Sequence, residues 1–330
     1  MPSASPAPSV RVAKGGRRGQ IVLDRPAALN ALTTPMVRAI HQALRDFERD
    51  PAVQVITMES TRAGCFCAGG DIRAIRTARL EGRHAEADDF FAQEFALNLA
   101  IAECAKPIVS LIDGICMGGG LGLSVHGAHR VVSDRLVMAM PETAIGYFPD
   151  VGATYFLNTL PPGETGLYIA LTGERLSWQD ALYCRLATAC VPHEALAELS
   201  EALGAAQAGH ETDAIETWRL PAAPGAIEQN RAVIDACFAA DRVEDILSRL
   251  ERTGGDFAAA AWKKMRAASP ASLNLTLFAM RGARGRSLAE CLATELDLAR
   301  QITRGADFNE GVRAMLVDKD RQPSWAVEPA

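Results

Sequence analysis

Apolar and polar positions follow two rhythms along this chain, and the rhythm changes near residue 190. Val10 to Val12 and Ile21 to Asp24 read as two strands joined by a turn at Gly15 and Gly16. Thr34 and Pro35 open a helix, with Thr34 as its N-cap and Pro35 at the first helical position. Met36, Ile40, Ala43, Leu44 and Phe47 form its apolar stripe, and Asp50 and Pro51 end it. Val53 to Met58 is rich in β-branched residues and reads as a strand. A glycine-rich stretch from Gly64 to Asp71 leads into a helix. Phe90 to Ala105 is another helix, apolar at Phe91, Phe95, Leu99 and Ala102. Pro107 opens the strand Ile108 to Ile112, the three glycines 118–120 begin a short helix, and Arg130 to Ser133 returns as a strand.

Strand and helix thus alternate to about residue 190, which predicts an α/β layer. From Glu194 onward the pattern is helical only, with helices over Ala226 to Phe238, Val243 to Glu251, Phe257 to Ala268 and Leu288 to Thr303. Ser287 caps the last of these, and Glu290 completes a capping box. The organisation is therefore a disordered Pro/Ser/Ala tail over 1–9, an α/β core over 10–193 and a helical region over 194–330.

Composition narrows the function classes. The net charge of −6 is spread along 330 residues, so no basic face is available for nucleic acid. No apolar run is long enough to span a bilayer. Arg11, Lys14, Arg17 and Arg18 precede the first acid, Asp24, as in a transit peptide, but they flank the Gly15–Gly16 turn and fit a hairpin better. Eight scattered cysteines, with no CxxC pair and no histidine at zinc-ligand spacing, suit reduced thiols in a cytoplasmic protein and no metal site.

Two glycine-rich turns carry the candidate chemistry: Cys67-Ala68-Gly69-Gly70-Asp71 and Met117-Gly118-Gly119-Gly120. Each follows a strand and opens a helix, where backbone N–H groups converge on ligands. One N–H from each could point at a single carbonyl oxygen, an oxyanion hole made without side chains. Spacing alone is equally met by two tight turns packed against a sheet. Neither turn matches GxGxxG or carries the Lys-Ser/Thr of a phosphate loop.

The stretches Arg25-Pro26-Ala27-Ala28-Leu29-Asn30-Ala31-Leu32, Phe66-Cys67-Ala68-Gly69-Gly70-Asp71-Ile72 and Gly114-Ile115-Cys116-Met117-Gly118-Gly119-Gly120 resemble successive motifs of the crotonase (enoyl-CoA hydratase/isomerase) superfamily. The resemblance implies a spiral of ββα units with a helical C-terminal region. It assigns the oxyanion donors to the N–H groups of Gly70 and Gly119, and lays coenzyme A along Arg25, Ala28 and Leu29 and along Ala68, Asp71 and Ile72. Coenzyme A is then part of the substrate, and no further cofactor is implied. A homo-oligomer is common in that superfamily, although the helical C-terminal region could instead pack on its own chain.

Glu142 lies twenty-three residues after Gly119, as the superfamily's second catalytic glutamate does. The hydratases' first glutamate falls three residues after the middle glycine, and here that position is Gly122. Double-bond isomerases also work with the second glutamate alone. The branch that hydrolyses 3-hydroxyisobutyryl-CoA pairs it with an aspartate, and Asp150 stands at that position. The same branch has a substrate-contacting glutamate where Glu94 lies, and resembles this chain at Ser269 to Leu273 and from Asp307 to Trp325. The implied activity is hydrolysis of a short 3-hydroxyacyl-CoA thioester in valine breakdown. An enoyl-CoA isomerase or hydratase and a non-catalytic acyl-CoA-binding protein are the alternatives.

Overall fold

The computed structural model describes residues 9–160, 163–206 and 209–326. Apart from Ser9, the expected disordered tail lies outside the described residues. Strands β1 (Val10–Gly15) and β2 (Arg18–Leu23) form the hairpin expected at Gly15–Gly16. Helix α1 (Thr34–Arg49) starts one residue earlier than its signal suggests. Thr33, not Thr34, is the cap: its Oγ1 accepts the Met36 N–H at 3.4 Å, and Pro35 sits in the first turn, where an N–H is not needed.

The chain then repeats one unit, a long strand, a short strand and a helix. The first is β3 (Val55–Ser60), β4 (Cys65–Cys67) and α2 (Ile72–Leu80), followed by the added helix α3 (His84–Glu103). The second is β5 (Ile108–Ile112), β6 (Ile115–Met117) and α4 (Gly119–Ser124). The third is β7 (His129–Ser133) and β8 (Val137–Ala139), followed by the short helix α5 (Ala153–Phe156), and β9 (Ala189–Val191) closes the series. Long strands build a main sheet in the order β1-β2-β3-β5-β7-β9, parallel except at β1. Short strands build a second, parallel sheet, β4-β6-β8. This is the spiral of ββα units.

Edge strand β1 is largely exposed, but the sheet is buried on both faces around β5 and β9, which is why β5 reads as a near-continuous apolar run. In β5, Ile108 and Ile112 face the principal core while Val109 and Leu111 face a second one. Leu199, Leu203 and Ile215, from helices just after β9, cover that second face. The later helices enter the principal core itself, through residues such as Ile234, Leu277 and Phe308. The C-terminal region thus packs back on its own chain. Its last segment is pinned by the Trp325 indole N–H to Ala267 C=O at 3.1 Å and by Ala326 N–H to the Asp307 carboxylate at 2.7 Å.

One buried ion pair joins these regions. Arg79, whose side chain is 1% exposed, pairs with Asp88 at 2.5 Å and donates to Thr303 Oγ1 and His84 C=O. Replacing Arg79 by Ala removes the donor to the buried Thr303 hydroxyl and to the His84 C=O, and leaves Asp88 with Arg304 alone at 3.0 Å. Chemical denaturation is expected to show a loss of about 3 kcal/mol; a change below about 1 kcal/mol would contradict the assignment.

Candidate active site

The second sheet delivers the site. Its three parallel strands end side by side, and each passes directly into one component of the site. Strand β4 leads to Gly70, β6 to Gly119 and β8 to Glu142, with Cys67 opposite Cys116 in the ladder. Gly69 (φ +105°) and Gly118 (φ +47°) take backbone angles that side chains disfavour, and so set the direction of the amides that follow them. The segment before α1 clamps the first turn: Leu32 N–H donates to Gly69 C=O, and Asp71 N–H donates to Leu32 C=O, both at 2.8 Å. The buried Asn30 holds that segment, donating to Ser60 Oγ and Phe66 C=O and accepting the Arg25 N–H. A Cβ placed on Gly119 would lie 3.4 Å from Gly70 N, so the two turns nearly touch. Neither the Gly70 nor the Gly119 amide donates a hydrogen bond to another described residue. Two free N–H groups at this spacing can share one carbonyl oxygen, each contributing roughly 3–4 kcal/mol to a developing oxyanion.

Three carboxyl groups face the same cleft, a cavity of about 450 Å³. Glu94 lies on the buried face of α3, 2% exposed, rather than on a polar face. Its Oε1 would meet a Cβ on Gly119 at 2.5 Å. Glu142 opens a 3-10 turn after β8, and its Oε1 would meet a Cβ on Gly118 at 2.8 Å. Both acids therefore reach the glycine turn, and only glycine leaves room for them. Glu94 Oε1 and Glu142 Oε2 are buried with no hydrogen-bond partner. Asp150 is buried and accepts the Tyr147 hydroxyl at 2.9 Å.

No acid of the three joins an ion pair within the described residues. Burial pushes the Glu94 carboxyl well above its ordinary value, and the charge of Asp150 adds to this. Burial does the same to Glu142, again reinforced by Asp150 and by Glu94. Asp150 is pushed up by burial to about 7, the Tyr147 hydrogen bond holding it from rising further. Burial raises the Tyr147 phenol too, so it stays a donor. The three carboxyls therefore titrate as one interacting set, in which only Asp150 has a hydrogen bond that favours its anion.

Of the residues assigned to coenzyme A, Ala68 and Ile72 line the cleft, as do the expected oxyanion donors Gly70 and Gly119. Arg25, Ala28, Leu29 and Asp71 are outside its lining. Arg25 and Asp71 pair with each other at 2.8 Å, and Asp71 caps α2. Sequence reasoning overlooked Arg175 and Arg321, two lining cations with no ion pair among the described residues. It also overlooked Tyr147, which stacks on Phe91 with ring centres 5.8 Å apart. Gly122 faces packed atoms: a Cβ there would fall 2.8 Å from both Asn98 Nδ2 and Val151 Cβ.

The Asp150 carboxyl keeps its proton up to about pH 7 in the fold, against 3.8 for a free aspartate. Its contribution to stability is therefore largest at low pH and is lost as pH rises through that window. Asp150→Asn stays neutral throughout. At pH 8 it is expected to raise the melting temperature by a few degrees; a lower melting temperature would show that the anion is not a burden on the fold.

An enoyl-CoA hydratase/isomerase family model matches residues 18–329. The rat protein named 3-hydroxyisobutyryl-CoA hydrolase, mitochondrial, is 42% identical over 324 residues, covering 96% of this chain and 84% of that protein. Two solved structures superpose closely. A carnitinyl-CoA dehydratase from Mycobacterium thermoresistibile is 36% identical with a TM-score of 0.91, covering 96% of this chain and 91% of that one. An enoyl-CoA hydratase from Rhodobacter sphaeroides is 38% identical with a TM-score of 0.88, covering 97% and 93%. The described residues contain no helix long and apolar enough to cross a membrane. The expectation of a cytoplasmic protein gains no support from a relative named mitochondrial. With the family model running from the hairpin to the C-terminal segment and the paired glycine turns in place, the chain belongs to the enoyl-CoA hydratase/isomerase family.

Proposed function

We propose that this protein hydrolyses 3-hydroxyisobutyryl-CoA to 3-hydroxyisobutyrate and free coenzyme A. One observation carries the reading: two unengaged amides, Glu142 and Asp150 converge on one cleft, while the place of a hydratase's first glutamate is a glycine closed by packing. The relative's printed name supports the substrate, and valine breakdown is the setting that this substrate implies.

The thioester carbonyl sits with its oxygen between the Gly70 and Gly119 N–H groups. In one route a Glu142 oxygen attacks the carbonyl carbon, and the C–S bond breaks. The thiolate of coenzyme A takes up a proton, and water then opens the mixed anhydride. In the other, Glu142 takes a proton from water, which attacks directly. Both routes need Glu142 as an anion when it acts, and Asp150 is the neighbouring carboxyl that positions Glu142 or handles its proton. The unpartnered Glu94 Oε1 is placed to bond the acyl 3-hydroxyl. Arg175 and Arg321 suit the phosphates of coenzyme A. All eight cysteines are free thiols, as a reducing compartment such as the cytoplasm would keep them.

A thiol-trapping assay is expected to detect coenzyme A release from 3-hydroxyisobutyryl-CoA, with crotonyl-CoA left unhydrated. Product formed from crotonyl-CoA without thiol release would favour the hydratase named among the structural neighbours. Glu142→Ala should lower kcat about a thousandfold or more; an unchanged rate would remove Glu142 from the chemistry, and binding of acyl-CoA with no turnover in the parent would leave an acyl-CoA-binding protein. A single turnover in isotopically heavy water places label in Glu142 on the anhydride route and leaves it unlabelled on the other. The kcat/KM profile should rise with pH to a plateau, with an apparent midpoint near 7 set by Asp150 and its neighbours. A flat profile between pH 5 and 8 would remove Asp150 as proton acceptor.

A further inference from the structure

The turn that carries Asp150 is held from a distance, and the holder is absent from every motif considered so far. Glu295 lies on the helix Leu288–Ile302 of the C-terminal region and is fully buried. All its hydrogen bonds go to residues just after Asp150. Oε2 accepts the Gly152 N–H at 2.7 Å, and Oε1 accepts the Thr154 N–H at 3.0 Å and the Thr154 hydroxyl at 2.6 Å. The carboxylate does not line the cleft, so it cannot touch substrate.

The turn it grips is one the chain would not adopt unaided. Val151 has φ +54°, a left-handed conformation that a β-branched residue avoids, and Gly152 follows at φ +85°. Three further contacts hold the same turn. His126 Nε2 bonds the Val151 C=O at 2.8 Å, Ala153 N–H bonds the Asp150 C=O at 2.8 Å, and Val151 packs tightly over Gly122. Burial lowers the His126 imidazole to about 4, so the ring is neutral and donates from Nε2. Strained backbone of this kind persists only where its surroundings over-determine it. Of these restraints, Glu295 alone comes from the C-terminal region, and it takes the Gly152 and Thr154 N–H groups on either side of Ala153.

We propose that Glu295 is a positioning residue: by holding the Gly152 and Thr154 donors it keeps the strained Val151 turn in place and so aims the Asp150 carboxyl at the cleft. The inference rests on the hydrolase reading for its kinetic test. It gives the C-terminal region a direct part in the reaction, through one carboxylate reaching about 140 residues back along the chain.

Glu295→Gln keeps the shape but turns one acceptor into an N–H donor facing another donor. With 3-hydroxyisobutyryl-CoA, kcat is expected to fall about 10- to 100-fold while KM stays within about threefold. In an Asp150→Asn background the same change should cost nothing further, because its target is already gone. Thr154→Val, which removes only the hydroxyl donor, should lower kcat about two- to fivefold and likewise have no effect beside Asp150→Asn. It decides the question if Glu295→Gln fails to fold. A kcat within twofold of the parent, or losses that multiply in the double variant, would overturn the proposal. A crystal structure of Glu295→Gln gives a readout independent of turnover. The Asp150–Tyr147 hydrogen bond should be broken or Val151 relaxed to negative φ, and an unchanged 150–154 turn would refute the role even if the substrate were wrong.

Discussion

Burying a carboxylate without a cation is costly, because an apolar interior solvates charge poorly; in practice the group raises its pKa and holds its proton. Glu94, Glu142 and Asp150 share one cleft under this constraint, and none has an ion-pair partner within the described residues. The consequence is chemical as well as energetic. Groups that would be inert, fully ionised acetates in water become bases with proton affinities nearer neutrality. The Tyr147 hydroxyl separates Asp150 from the other two by stabilising its anion. A proton can then pass from one carboxyl to another without a cofactor.

Such an arrangement stands against its own cost only on a stiff support. The support has two layers. The short parallel sheet fixes the glycine turns and Glu142 relative to one another, since its three strands end side by side, with one register shift between Cys65 and Cys67. The C-terminal region then closes the other side. Gly146 approaches Asp307 so closely that a Cβ would fall 2.2 Å from the Asp307 C=O, and Gly311 packs equally tightly on Ile145. Met315, Leu316 and Arg321 complete the wall of the cleft. Val151 in the left-handed region costs on the order of 1–3 kcal/mol. That is affordable only where Glu295, His126 and Gly122 remove the alternatives.

Much of this was legible in the residues because glycine and carboxylate leave strong signals. The two turns announced themselves through the glycines at 69–70 and 118–120, and Glu142 and Asp150 stood out as acids in an apolar setting. The second sheet did not, since strands of three residues such as Cys65–Cys67 are too short to show a period of two. The helix Thr165–Thr172 gave no signal, and within the region read as helical Leu196–Ala205, Glu211–Glu216 and Pro270–Gly282 had no separate bounds, because their apolar positions do not form one clear stripe. Glu94 and Glu295 carried a usable signal. Each falls in the apolar stripe of its helix, Glu94 beside Phe90, Phe91 and Phe95, and Glu295 in line with Cys291, Leu292 and Ala299. An acid there is either a packing error or a group with a partner. Tyr147 and the Arg25–Asp71 pair were not legible, because their partners depend on how loops meet in space.

The same packing also bears on which reaction the site can run. Adding water across a double bond in this family's usual manner needs a second glutamate, and the chain places Gly122 at that position. The substitution is not a simple vacancy. Asn98, fully buried with neither end of its amide bonded, and Val151 both press on Gly122, leaving no space for a side chain to enter. Val151 can press there because it occupies the left-handed turn, and that turn is what carries Asp150 into the cleft. The turn that seats Asp150 and the packing that closes Gly122 therefore share one residue, Val151. A chain that seats Asp150 in this way has filled the hydratase position from the other side. On the proposed hydrolase reading, the unengaged Gly70 and Gly119 amides and Glu142 then remain to act on a thioester carbonyl.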